Sequence, residues 1–255
     1  MYKHSLIKIA IIALFCLFLN PLTVFAAEEK PPALVSMWTM EVKPGSEKDF
    51  EAAFKSHIKA RQKAGDTRSW QVYTPHTGSH FNRYIIRYCC FKWADQDAYD
   101  KWADDSKVMS DWEKGAGKYV EHYSHHYSWV DMENSHWKEG ESYQFVGVRS
   151  YHLIPGGNAS DSVKEISKLA KDIKWDRSWG WTYNITGANE LQLAFPFKNF
   201  ADMQPPEPSF GDLAEKHLGS EEKVDEIFDR FSKVYTKTKY NIYRHHPELS
   251  IPAKK

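Results

Sequence analysis

Val35-Ser36-Met37-Trp38-Thr39-Met40-Glu41-Val42-Lys43-Pro44-Gly45 can be laid without a gap over Val146-Gly147-Val148-Arg149-Ser150-Tyr151-His152-Leu153-Ile154-Pro155-Gly156. Both stretches read as a strand running into a Pro-Gly turn, the residue pair that most firmly ends an extended run. A helix follows each turn. Phe50, Phe54, His57 and Ile58 mark one apolar stripe, and Val163, Ile166, Ala170 and Ile173 the other, at the spacing that puts them on one helical face. Ser46 and Ser162 are read as N-terminal caps, the second with Glu165 three residues on. The parallel continues with Trp70-Gln71-Val72-Tyr73 against Trp179-Gly180-Trp181-Thr182, a turn at Gly78 or Gly187, and third strands that end in Phe91-Lys92 and Phe197-Lys198. A second helix comes next, with Tyr99, Trp102, Met109 and Trp112 in the first half and Val224, Ile227, Phe228 and Phe231 in the second. Closing strands are expected near residues 119–130 and 236–243.

The element order is therefore β-α-β-β-α-β twice, which predicts an α+β chain of two tandem ferredoxin-like repeats. The first repeat spans residues 27–130, a charged linker residues 131–141 and the second repeat residues 142–255. Pro205, Pro206 and Pro208 interrupt the second repeat before its last helix. A four-stranded sheet with both helices on one side leaves its other side bare, and a large apolar face is not left in water. The two bare faces are expected to meet, as a sandwich or a closed barrel within one chain.

Residues 1–26 carry Lys3 and Lys8, an apolar run from Ile9 to Leu19, and the small-residue end Val24-Phe25-Ala26. That is the pattern of a secretory signal peptide. Its apolar run falls short of the roughly 20 residues of a membrane anchor. The expected location is periplasmic or secreted, with no stable membrane anchor once residues 1–26 are removed. With 34 Lys plus Arg against 34 Asp plus Glu in 255 residues, no basic stripe exists to displace counterions from nucleic acid, so a nucleic-acid partner is excluded. Of three cysteines, Cys89 and Cys90 lie outside the leader. Neighbours on a strand point to opposite faces, so they are read as two buried thiols.

The strand-Lys43-Pro44-Gly45-helix opening, the Phe50 and Phe54 stripe, and the run from Trp93-Ala94-Asp95 through Trp102 to Trp112 resemble the dimeric α/β-barrel superfamily. Its antibiotic-biosynthesis-monooxygenase-like and NIPSNAP-like branches are the most similar. The resemblance implies the two repeats packed sheet to sheet as an intrachain barrel. It leaves function open, because the superfamily includes cofactor-independent oxygenases, haem-degrading enzymes, isomerases, peroxidases and proteins without known activity. Haem-degrading relatives carry an iron-ligating histidine on the repeat's second helix. Here the matching stretch, residues 104–109, has none, which argues against haem; His217 is the second repeat's counterpart.

Among single residues, His57 stands on an apolar stripe facing the sheet and is the candidate for proton transfer. Trp70, Trp179 and Trp181 are candidate walls for a flat apolar molecule. Arg87 and Arg149 are candidates to orient an acidic group, with Glu41 and Glu190 as rival internal partners. His122 and His126 would share a helix face, but on a strand they stand about 13 Å apart, and no metal site is expected. No phosphate loop, nucleophile elbow or paired-cysteine zinc pattern appears. Three functions remain open: an exported binder of a small apolar or aromatic molecule without a cofactor, a cofactor-independent monooxygenase or haem-handling enzyme, and a non-catalytic interaction module. Because Trp38 faces Arg149 in the overlay, Glu41 faces His152 and Arg87 faces Leu193, at most one half is expected to hold a functional pocket.

Overall fold

A computed structural model describes residues 33–138 and 140–252; the leader, residues 1–26 with Cys16, lies outside them. The first half runs β1 (Leu34–Val42), α1 (Glu47–Lys63), β2 (Gln71–Pro75), β3 (Arg83–Phe91), α2 (Trp93–Ser106), α3 (Val108–Lys114) and β4 (Val120–Val130). The second runs β5 (Phe145–Leu153), α4 (Ser160–Asp172), β6 (Gly180–Asn184), β7 (Glu190–Phe197), α5 (Phe210–Leu218), α6 (Glu221–Ser232) and β8 (Tyr235–His245). The eight strands close into one barrel in the order β1-β3-β2-β8-β5-β7-β6-β4. Each half thus contributes a four-stranded antiparallel sheet, and the halves join at two seams, β2 with β8 and β4 with β6. Closure matters because an edge strand leaves its N–H and C=O groups unpaired, and a barrel has no edges.

The halves share local devices. Gly45 and Gly156 take positive φ, +83° and +72°, at the Pro-Gly turns, a region open to glycine at no steric cost. A bulge breaks the register at the end of β1 against β4 and at the end of β5 against β8. The α1 stripe is buried as its spacing demands: Phe50, Phe54, His57, Ile58 and Arg61 face the sheet. Of these, Phe50, Phe54 and Ile58 join Met40, Val42, Trp70, Val72 and Tyr84 in the first core. Tyr151, Val163, Trp179, Trp181, Leu191 and Phe231 form the second.

Several expectations are corrected. Ser46 flanks α1 but its side chain makes no capping bond. Ser162 is buried inside α4, and the residue that accepts from the helix start is Asn158, whose Oδ1 takes the Ser160 N–H at 2.9 Å. Cys89 and Cys90 are not free thiols: a disulfide joins them. An additional helix, α5, occupies the stretch after the prolines. Ser209 and Asp212 cap it reciprocally, Ser209 N–H to Asp212 Oδ2 at 2.8 Å and Asp212 N–H to Ser209 Oγ at 3.2 Å.

The sheet faces also differ from the expected pair of greasy undersides. Alternation along β3 sends Tyr84, Ile86 and Tyr88 to the helices, so Arg83, Ile85 and Arg87 face the barrel interior. Arg83 pairs there with Glu41 at 3.0 Å, and at the same register of the other half His152 meets Glu190 at 3.0 Å. Both charge pairs sit near the strand ends, partly open to water, and strand pairing at the seams joins the halves.

Candidate functional site

Between the first sheet and its helices lies a cavity of about 400 Å³. β1 contributes Trp38 and Met40, α1 contributes Phe54, His57 and Arg61, and Trp112 enters from α3. The volume falls in the range of small-molecule and cofactor pockets. Its walls are aromatic because the stripe of α1 and the helix-facing residues of β1, β3 and β4 converge there.

His57 is the chemical centre. It is 4% exposed, and its Nδ1 lies 2.7 Å from Asp111 Oδ2 on α3. An ionised carboxylate only accepts, so Nδ1 carries the hydrogen. That leaves Nε2 with a free lone pair when the ring is neutral, and Nε2 makes no hydrogen bond to a described residue. Burial holds the imidazole below its ordinary pKa, against the opposing hydrogen bond of Asp111. The ring is thus kept neutral near pH 7 while its tautomer is fixed, the two requirements of a general base. Trp112 closes on it edge-on, with ring centroids 5.1 Å apart.

A second imidazole, His125 of β4, stacks on Trp38 at 4.3 Å and engages Ser36 Oγ through Nε2 at 2.9 Å. Trp38 is 44% exposed and forms the mouth. Farther in, Arg61 and Arg68 line the cavity, with Asp66 between them.

The other sequence candidates fall elsewhere. Trp70 lines this cavity and donates its Nε1–H to Leu249 O at 3.2 Å. Arg87 lies on the opposite sheet face, where its charge acts on the half-buried Tyr73. The overlay that set Arg87 against Leu193 is one residue out: Trp38 pairs with Ile86 and Arg149 with Leu193. Arg149 and Trp181 line a second space of about 360 Å³ in the other half, with Arg149 over the Tyr240 ring at 5.2 Å. No histidine lines it. Trp179 lines neither cavity; its Nε1–H donates to Asn134 O at 2.8 Å and fastens the inter-half segment. His217 sits on the surface of α5, 3.9 Å from Asp172. Among the described residues no cluster of His, Cys, Asp or Glu could hold a metal ion, and no helix is long and apolar enough to cross a membrane.

Sequence reasoning missed Asp111, Arg61 and Arg68. Arg61 was within reach, since it continues the buried stripe of α1 one turn after His57. Asp111 carried no signal of its own, because its partner is 54 residues away.

No protein-family model matches the chain, and no curated protein matches it in sequence. Solved structures do match its shape. A candidate monooxygenase from Lactobacillus acidophilus NCFM superposes with a TM-score of 0.54 at 9% identity, over 88% of this chain and 97% of that one. A second candidate monooxygenase, from Fusobacterium nucleatum, gives 0.53 at 10% identity over 85% and 94%. A mutant chlorite dismutase from Candidatus Nitrospira defluvii gives 0.53 at 6% identity over 86% and 94%. The chain therefore has the fold of the dimeric α/β-barrel, ferredoxin-like superfamily.

Proposed function

We propose that the chain is exported, that its halves descend from one duplicated unit, and that the first half binds a small, flat, largely apolar molecule from which His57 removes a proton. The carrying observation is the His57–Asp111 pair at 2.7 Å in an aromatic-walled cavity. An acidic O–H or C–H placed at Nε2 passes its proton to the ring, and Asp111 stabilises the imidazolium that forms. Such a positioned base is worth about 10²- to 10⁴-fold in rate. The anion left behind is the electron-rich form in which a hydroquinone-like ring can react with dioxygen without a cofactor. This favours cofactor-independent oxygenation as the reaction class. The monooxygenase neighbours support that reading only through their shared fold.

A haem-handling role is the second reading, and it rests on the same residue. His57 is the residue that would hold the iron, through the Nε2 left without a hydrogen-bond partner among the described residues, while Asp111 holds Nδ1. Bound haem would supply redox chemistry that side chains lack. The walls of the cavity would hold its apolar ring, and Asp111 would fix the imidazole.

The test is to purify the protein, record its visible spectrum with and without added haemin, and identify co-purifying molecules by mass spectrometry. A retained aromatic molecule, lost in His57→Ala or displaced in Trp112→Ala, supports the binding reading. A Soret band that disappears in His57→Ala moves the assignment to haem. A colourless protein that retains nothing and takes up no haem points to an interaction module.

A further inference from the structure

The far end of the cavity holds an imbalance of charge. Arg61, at the end of α1, and Arg68, in the turn before β2, both line the space, and Asp66 is the carboxylate that pairs with both. Asp66 is committed: it accepts Arg61 Nε at 2.7 Å and the backbone N–H of Arg68 at 3.0 Å. Arg61 also donates to Tyr99 Oη at 3.2 Å and lies over the Trp70 ring at 5.0 Å and the Trp102 ring at 5.1 Å. Arg68 is held differently. Its guanidinium lies over Tyr99 at 3.1 Å, and its nearest carboxylate contact is Nε to Asp66 Oδ1 at 3.6 Å, too long for a hydrogen bond. Its Nε is buried with no hydrogen-bond partner among the described residues, although the side chain as a whole is only 16% exposed.

Of the five N–H donors of a guanidinium, Nε is the one buried here without a partner among the described residues, and a buried donor left unmade costs more than forming its bond returns. Burial also disfavours its charge. The cavity's other carboxylates do not resolve this. Asp100 and Asp104, which line it, stand exposed on α2, where water screens them, and Asp111, which is not part of its lining, serves His57.

We propose that Arg68, with Arg61 behind it, forms a subsite for the carboxylate of a flat, conjugated ligand. The inference rests on the binding reading above and names the class of ligand. Arg61 follows His57 by one helical turn, a rise of about 6 Å. A ligand whose carboxylate meets the arginines would lay its ring along α1 toward His57 Nε2. Two sources share this chemistry, a small aromatic acid and the propionates of a porphyrin.

The experiment titrates the purified protein at pH 7.5 with 2-naphthoate and its neutral isostere 2-naphthamide, and with protoporphyrin IX and its dimethyl ester, following tryptophan fluorescence and calorimetry. The acid of at least one pair should bind about 10- to 100-fold tighter than its neutral partner, as expected for charge-assisted hydrogen bonds. Arg68→Gln should erase that preference, weakening the acid far more than its neutral partner. Should Arg68→Gln not fold, Arg68→Lys replaces it: the charge stays, the planar fork is lost, and the preference should shrink. Which pair shows the preference identifies the source. Equal binding within both pairs, or a preference that survives in the Arg68 variant, overturns the anionic subsite and leaves the cavity reading standing. No binding of any of the four by the wild-type protein overturns both.

Discussion

His57 illustrates how one residue's role depends on a partner that its own segment does not contain. Burial depresses its pKa, and the hydrogen bond and charge of Asp111 raise it. Removing Asp111's charge should therefore leave burial opposed only by the weaker influence of Asp66. In Asp111→Asn, the pKa of His57 followed by NMR should fall below the wild-type value, and the Nδ1–H tautomer should lose its exclusive population, because an amide can donate as well as accept. A pKa that rises in this variant would mean that Asp111 does not hold the ring. The stripe through Phe54, Ile58 and Arg61 marked His57 as facing the sheet before any contact was known. Asp111 and Arg68 were hidden for a physical reason. Each acquires its meaning only when α3 or the turn before β2 docks on α1, and no local periodicity encodes that docking. Arg87 differs from these: its type suited a ligand site, but alternation along β3 turns it to the face away from the cavity.

At the scale of elements, α5 shows what periodicity alone overlooks. Three prolines precede it and suggest a loop, yet Ser209 and Asp212 form a reciprocal cap at its start, a pattern written in the sequence as Ser-x-x-Asp. Ser209→Ala removes one half of that cap. It should cost about 1 kcal/mol, read as a lowered urea midpoint with unchanged slope, and leave naphthoate binding intact because α5 belongs to the other half. A variant as stable as the wild type would show that Ala214 and its neighbours in the core hold α5 without the cap. By contrast β1, β5 and α1 were plain from sequence, since each carries its own boundary signal and a regular apolar pattern.

Across the whole molecule, acid should loosen the fold. Burial lowers the pKa of His57, His125, His126 and His245 in the folded state. Unfolded, each takes up a proton near the ordinary histidine value of about 6.5. Below that pH the unfolded chain therefore holds more protons than the folded one, and stability declines until the folded pKa values are passed. The slope is at most about 1.4 kcal/mol per pH unit for each histidine, and less for those that water partly reaches. Melting temperature should thus fall between pH 7.5 and pH 5.5, and His126→Asn should flatten the fall, since His126 Nε2 is buried without a hydrogen-bond partner. A melting temperature independent of pH across this range would exclude the effect. Finally, the halves are not finished separately. Leu249 and Ile251 belong to the first half's core, and Trp70 and Ile251 exchange backbone hydrogen bonds at 2.9 Å. A ribosome that has delivered the first 130 residues has made a core still lacking two of its buried members, one of them bonded to the cavity residue Trp70. The pocket can mature only after the far end of the polypeptide has emerged, so a nascent first half should remain open to proteases until then.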